Sequence, residues 1–151
     1  MLIRVAEAGD IGEVEALRYA ALSTSAPSVY SPREIVELLD GLDLDELRAM
    51  VKHPQLFVAE TDGLIVGCAS RRGKHLRHLY VAPDSQRRGL GSRLVRHAES
   101  DFQDRTSAAE LHVGSVLYAR GFCERLGYEL VTKERPGSEP FHMKKRFDVA
   151  R

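Results

Sequence analysis

Hydrophobic and polar positions along the chain change period several times, and each change predicts an element. Leu2-Ile3-Arg4-Val5-Ala6 reads as a first strand. From Asp10 the period becomes helical. Ile11, Val14, Leu17 and Ala21 share a face, and Asp10 with Glu13 has the form of a helix cap. Ser23 to Tyr30 is small and polar, contains Pro27, and reads as a loop. Ser31-Pro32-Arg33-Glu34 is a capping box with proline at the first helical position, followed by Ile35, Leu38 and Leu39. Gly41 interrupts. Asp43 and Glu46 then cap a third helical piece carrying Leu47, Met50 and Val51, which Pro54 ends.

From Gln55 the period falls to that of strands. Leu56 to Glu60 and Leu64 to Ala69 flank Asp62-Gly63, a strong hairpin signal. Leu76 to Val81 is a third strand of this run, stopped by Ala82-Pro83-Asp84. Leu94, Val95, Ala98 and Phe102 return to helical spacing. Ala109 to Val113 reads as a strand, and Tyr118 to Leu126 as a helix that stops at Gly127. Tyr128 to Val131 and Phe141 to Lys144 read as closing strands around a Pro136-Gly137 turn.

The bulk properties narrow the class. A chain of 151 residues suggests one domain with a sizeable core. Hydrophobic residues at 43% and charged residues at 29% argue against disorder. Lysine plus arginine equals aspartate plus glutamate, so no global charge draws the chain to nucleic acid or a membrane surface. The apolar runs are short of a membrane span, and the first residues lack the apolar core of a signal peptide. Cys68 and Cys123 do not make a disulfide framework; a reducing, cytoplasmic setting is expected. The six histidines form no Cys-x-x-Cys or His-x-x-x-His pairing, and strand alternation sends His75 and His78 to opposite faces, so no metal site is expected.

The stretch between the third strand and its helix carries the candidate chemistry. Gln86-Arg87-Arg88-Gly89-Leu90-Gly91-Ser92 joins two glycines, which let a backbone approach a ligand closely, to the start of a helix. Helix-start amides carry partial positive charge, and two arginines flank them, a combination that suits a pyrophosphate. Alone it is a weak signal. The loop lacks Gly-Lys-Ser/Thr, so it is not a Walker A loop; Leu94 stands where a dinucleotide fingerprint would place its third glycine.

What remains resembles the acyl-CoA site of the GNAT superfamily of N-acyltransferases. That family's Gln/Arg-x-x-Gly-x-Gly/Ala follows a strand ending in Leu-Tyr/Phe-Val-x-Pro. It is matched by Leu79-Tyr80-Val81-Ala82-Pro83 and by Gln86, Gly89 and Gly91. Phe122-Cys123-Glu124-Arg125-Leu126-Gly127-Tyr128 is similar to a second family stretch, Phe-Tyr-Glu-Lys/Arg-Leu-Gly-Phe. Tyr30-Ser31-Pro32 and the Phe141-x-Met143-x-Lys145 ending resemble one broad branch of uncharacterised members. The resemblance implies an α/β (α+β) fold, the GNAT fold. Its mixed, mostly antiparallel sheet has about six to seven strands flanked by helices, in the order β-α-α-β-β-β-α-β-α-β-β. It also implies a reaction: transfer of an acetyl group from acetyl-CoA, a cosubstrate, to a primary amine of a small molecule or peptide, by direct attack on the thioester. Leu79, Tyr80, Val81, Gln86, Arg87, Arg88, Gly89, Leu90, Gly91 and Ser92 would hold the coenzyme A, with backbone amides of Leu79 or Val81 receiving the carbonyl oxygen. A homodimer is compatible with this reading; a nucleic-acid or membrane partner is not expected.

The catalytic groups are less sharply drawn. Many relatives carry a glutamate four residues before the leucine of Leu-Tyr-Val; here that position is His75, a competent base at neutral pH or a solvated strand-end histidine. His78 and His112 are poorer candidates. The family's usual tyrosine acid is replaced by Cys123, which would be a weak proton donor, an acylated carrier, or an inert small buried hydrophobe. Tyr118 lies about 140° round a helix from that position and is not an obvious substitute. The missing phenol keeps a second class open, a catalytically weak acyl-CoA-binding regulatory module.

Overall fold

The structure, a computed structural model, describes residues 1–25, 31–40, 44–115, 120–131 and 141–148. Its elements are β1 (Leu2–Val5), α1 (Ile11–Ser25), α2 (Pro32–Asp40), α3 (Leu44–Lys52), β2 (Leu56–Thr61), β3 (Leu64–Arg72), β4 (His75–Val81), α4 (Leu90–Arg105), β5 (Glu110–Ser115), α5 (Arg120–Arg125), β6 (Glu129–Leu130) and β7 (Phe141–Arg146). The seven strands form one sheet in the order β1-β2-β3-β4-β5-β7-β6. Every neighbouring pair is antiparallel except β4 and β5.

The apolar periodicity explains the layers. On one face, α1 and α3 bury Val14, Leu17, Leu47 and Met50 against Leu56, Val58 and Cys68. The alternate residues Phe57 and Ala59 of β2 point to the other face, where α4 buries Leu94, Val95, Ala98 and Phe102. Cys123 of α5, Tyr128, Leu111 of β5 and Met143 of β7 complete that larger cluster. Asp62 and Gly63 both adopt positive φ, 51° and 77°, the signature of a two-residue type I′ hairpin. The Ser31–Glu34 capping box is present: the Ser31 amide donates to Glu34 Oε1 at 3.0 Å, and the Glu34 amide to Ser31 Oγ at 3.2 Å.

Several expectations shift. Asp10 does not cap α1. It closes a short 3₁₀ turn, where its carboxylate accepts the Glu7 amide at 2.7 Å and two bonds from the Arg4 guanidinium. That contact holds the Asp10 carboxyl below its usual range. α1 continues through 23–25, which the polar composition had assigned to a loop. Glu46 is no cap either; it is buried and faces β4. The proposed 26–30 loop, the Gly41 break, Asp43, Tyr118 and the Pro136-Gly137 turn lie outside the described residues. No described helix is long and apolar enough to cross a membrane.

Candidate active site

β4 and β5 are neighbours over only two residue pairs, His75↔His112 and Leu76↔Val113. Beyond Leu76 no further pair joins the two strands among the described residues, and β4 presents there an edge without a described strand partner. Ala82 donates its amide to Val66 of β3 at 2.8 Å. Alternation along an extended strand therefore turns the N–H and C=O of Val81 and Leu79 away from β3, into the gap. Gln86 Nε2 donates to the Val81 carbonyl at 3.1 Å, stapling the loop to the strand end.

A cleft of about 560 Å³ opens beside this edge. Leu79 and Val81 form its strand wall, Gln86, Arg87 and Gly89 its loop, and Leu90, Gly91 and Ser92 the first turn of α4. Phe122 and Arg125 of α5 close the far side. Among the described residues the lining holds two guanidinium groups and no carboxylate, so it favours an anion. Gly89 caps α4 with φ 76°, a left-handed conformation, and no side chain caps the helix start. The first amides of α4 therefore have no partner within the helix. Gly91 serves a different purpose: a Cβ there would come within 3.2 Å of Phe122 Cζ, so any side chain would need the Phe122 ring to give way slightly. Arg87 also takes positive φ, 62°, which turns the loop tightly.

Of the ten positions assigned to the cosubstrate by resemblance, eight line this cleft. Tyr80 and Arg88 do not. Tyr80 points through the sheet, where its hydroxyl accepts from Arg18 Nε at 3.1 Å. Burial pushes its phenol up, against the opposing pull of Arg18. Arg88 is exposed on the rim. Phe122 and Arg125 were missed as lining residues, although both stand in the second family stretch.

The candidate catalytic residues are dispersed. Cys123 is 5% exposed and packs in the core cluster with Tyr128 and Leu76, not in the cleft. His75 is exposed at the start of β4, its ring centroid 5.7 Å from that of His112. His112 Nδ1 lies 2.9 Å from His142 Nε2 of β7. Partial burial, with His142 and His75 nearby, holds His112 below its ordinary value. Among the described residues no group of three His, Cys, Asp or Glu is placed to hold a metal ion.

His78 departs most from expectation. A register shift separates Cys68↔Tyr80 from Ser70↔Arg77, and His78 at the shift takes φ 50°. This β-bulge puts Arg77 and His78 on the same face, both reaching Glu46. His75, two residues before Arg77, shares that face. The expectation that His75 and His78 point oppositely is thus corrected: alternation fails at the bulge.

The family description "Acetyltransferase (GNAT) domain" matches residues 27–147. An Escherichia coli (strain K12) relative named uncharacterized N-acetyltransferase YafP is 29% identical over 133 residues, 88% of this chain and 84% of that protein. Among solved structures, a GCN5-related N-acetyltransferase from Rhodopseudomonas palustris superposes with TM-score 0.85 at 24% identity, covering 97% of this chain and 95% of its own. The PaiA N-acetyltransferase of Thermoplasma acidophilum, in complex with coenzyme A, gives TM-score 0.78 at 16% identity over 97% and 98% of the two chains. The strand order, the parted β4 and β5 and the family match over most of the sequence agree: the chain belongs to the GNAT family of acetyltransferases.

Proposed function

We propose that this chain is an N-acetyltransferase that moves the acetyl group of acetyl-CoA to a primary amine of a small molecule or peptide by direct attack. The observation that carries the reading is the open edge of β4 beside an uncapped helix start. An extended ligand can pair with the backbone of Leu79 and Val81, while its pyrophosphate meets the amides of Leu90, Gly91 and Ser92. Arg87 and Arg125 add charge-assisted contacts, and Arg88 adds long-range attraction at the rim. A gap-facing amide, that of Val81 or Leu79, receives the carbonyl oxygen as negative charge develops. That the PaiA N-acetyltransferase of the same fold is in complex with coenzyme A supports coenzyme A as the class of ligand. The described elements accord with a single catalytic domain, and two buried cysteines not joined in a disulfide with a reducing cytoplasm.

Transfer of the acetyl group needs no strong acid, because a thiol with pKa of about 8.5 is a tolerable leaving group. The buried Cys123 fits that economy as a packing residue. Cys123→Ala should lower turnover by less than about threefold and stability by about 1 kcal/mol. Cys123→Tyr should lower stability through overpacking by about 1–3 kcal/mol, seen as a lower melting temperature, rather than raise the rate. A dead Cys123→Ala variant, with an acetylated Cys123 seen by mass spectrometry, would reverse this reading.

The direct test is a panel of primary amines and peptides with free N-termini, each incubated with acetyl-CoA and followed as free thiol released. Amine-dependent release, with the acetylated amine identified by mass, is the expected result. Tight acetyl-CoA binding with release at background for every amine would favour the regulatory acyl-CoA-binding module instead.

A further inference from the structure

We propose that His78, held by Glu46, is the general base that takes the proton from the incoming ammonium; the assignment rests on the acetyltransferase reading above. Glu46 is the positioning residue.

Three observations converge on this pair. The first is backbone strain. A non-glycine residue at φ 50° in a strand is uncommon and persists only where its surroundings hold it. Cys68 Sγ donates to the His78 carbonyl at 3.1 Å, and Ser70 Oγ to the Arg77 carbonyl at 2.8 Å, so β3 fixes the bulge from both sides. The second is the carboxylate. Glu46 reaches from α3, its side chain only 7% exposed, and brings Oε2 to 3.3 Å from His78 Nε2. The third is place. The residue after His78 is Leu79, which lines the cosubstrate cleft, and the His78 ring stands on the opposite face with Tyr80 and Arg18. The base is thus on the strand the thioester pairs with, one residue before Leu79, on the face away from the coenzyme. His75 sits instead at the closed end of the gap, where β4 and β5 still pair.

The charges around the ring suit a base. Arg77 Nε lies 2.9 Å from Glu46 Oε1, and Arg72 Nη1 3.7 Å from the same oxygen, so the carboxylate is already compensated and does not lock His78 as a cation. Burial holds His78 below its ordinary value; Glu46 opposes this, while Arg77 and Arg18 add to it. The imidazole is therefore neutral at neutral pH. With Nε2–H donating to Glu46, the lone pair lies on Nδ1.

The step balances simply. The ammonium N–H bond breaks and its proton passes to Nδ1. The freed lone pair forms the C–N bond at the thioester carbonyl, and the C–S bond breaks with its electrons on sulfur. The attached nitrogen loses a second proton, the thiolate gains one, and the first proton leaves His78 for solvent. The products are the N-acetyl amine, the thiol and one proton, with no change of oxidation state.

The test compares wild type, His78→Asn and Glu46→Gln, with the panel amine that wild type acetylates fastest as probe. Asparagine tolerates the left-handed backbone at the bulge, so the first variant should fold. His78→Asn should lower kcat about 100-fold or more while acetyl-CoA affinity by calorimetry stays within about twofold. Glu46→Gln keeps an acceptor oxygen but removes the charge that holds the imidazole up. The ring titration of His78, read by NMR, and the acid limb of kcat/KM should then move together to lower pH. Wild-type kcat in a folded His78→Asn variant would overturn the assignment, as would an acid limb that stays put while the ring titration moves. A wild-type protein that binds acetyl-CoA yet acetylates no amine would overturn the acetyltransferase reading itself, a result distinct from either.

Discussion

Gly89→Glu is expected to fold and to lose acetyl-CoA binding, with affinity falling at least about a hundredfold, or about 2.8 kcal/mol. Bulk is not the cause, since a Cβ at Gly89 meets nothing within 4 Å. Two other effects add. Residue 89 must hold φ 76° to start α4, and a side chain there costs about 1–2 kcal/mol or displaces the helix start. The glutamate carboxylate would also stand where the helix amides and Arg87 otherwise attract phosphate. Gly89→Asn separates these effects: asparagine tolerates left-handed backbone and brings no charge, so it should keep most of the affinity. Calorimetry showing unchanged affinity in a folded Gly89→Glu protein would remove the loop from the binding site.

The second large effect concerns how α4 is held in place. Arg71 of β3 is buried, its side chain 4% exposed, and donates from Nη2 and Nε to Asp101 Oδ2 at 2.8 and 3.1 Å. Asp101 also accepts from Arg105 Nε at 2.6 Å. Asp101→Ala leaves the Arg71 guanidinium buried without its carboxylate and should cost about 3–5 kcal/mol in denaturant unfolding. Replacing both partners by apolar residues, Arg71→Met with Asp101→Leu, should recover most of that loss, because the desolvated charge goes too. A loss below about 1 kcal/mol for Asp101→Ala would class the pair with ordinary surface ion pairs.

Much of this architecture is written in local pattern. The period-two runs at Leu56 and Leu64 gave β2 and β3, Asp62-Gly63 gave the turn, and the helical spacing of Leu94, Val95, Ala98 and Phe102 gave the buried face of α4. The cleft loop was legible because its glycines and arginines are consecutive. What escaped the reading depends on contacts distant in sequence. Glu46 looks like a cap, since an acidic residue near a helix start usually is one; only the fold brings it to His78, thirty-two residues away. The bulge is hard to see because histidine, though enriched at positive φ, adopts it only rarely, and the register of β3 decides it. Tyr80 matches the family motif in type, yet its side chain leaves the cleft because alternate strand residues face opposite sides. Gly89 and Gly91 look equivalent in the sequence; one serves a backbone angle, the other the approach of Phe122.

The two-pair contact between β4 and β5 has a further consequence, for solubility. Past Leu76 the β5-side edge of the strand has no strand partner among the described residues, and such an edge is a template for another chain's strand. Natural sheets shield their edges with charge, bulges or cover, and all three occur here. Arg87 and Arg125 place like charges at the mouth, His78 twists the strand within the open stretch, and Phe122 stands across from Gly91. Gln86 also occupies the Val81 carbonyl. Charge, bulge and cover together work against pairing with another chain's strand at the same edge that the proposed site needs open to an extended ligand.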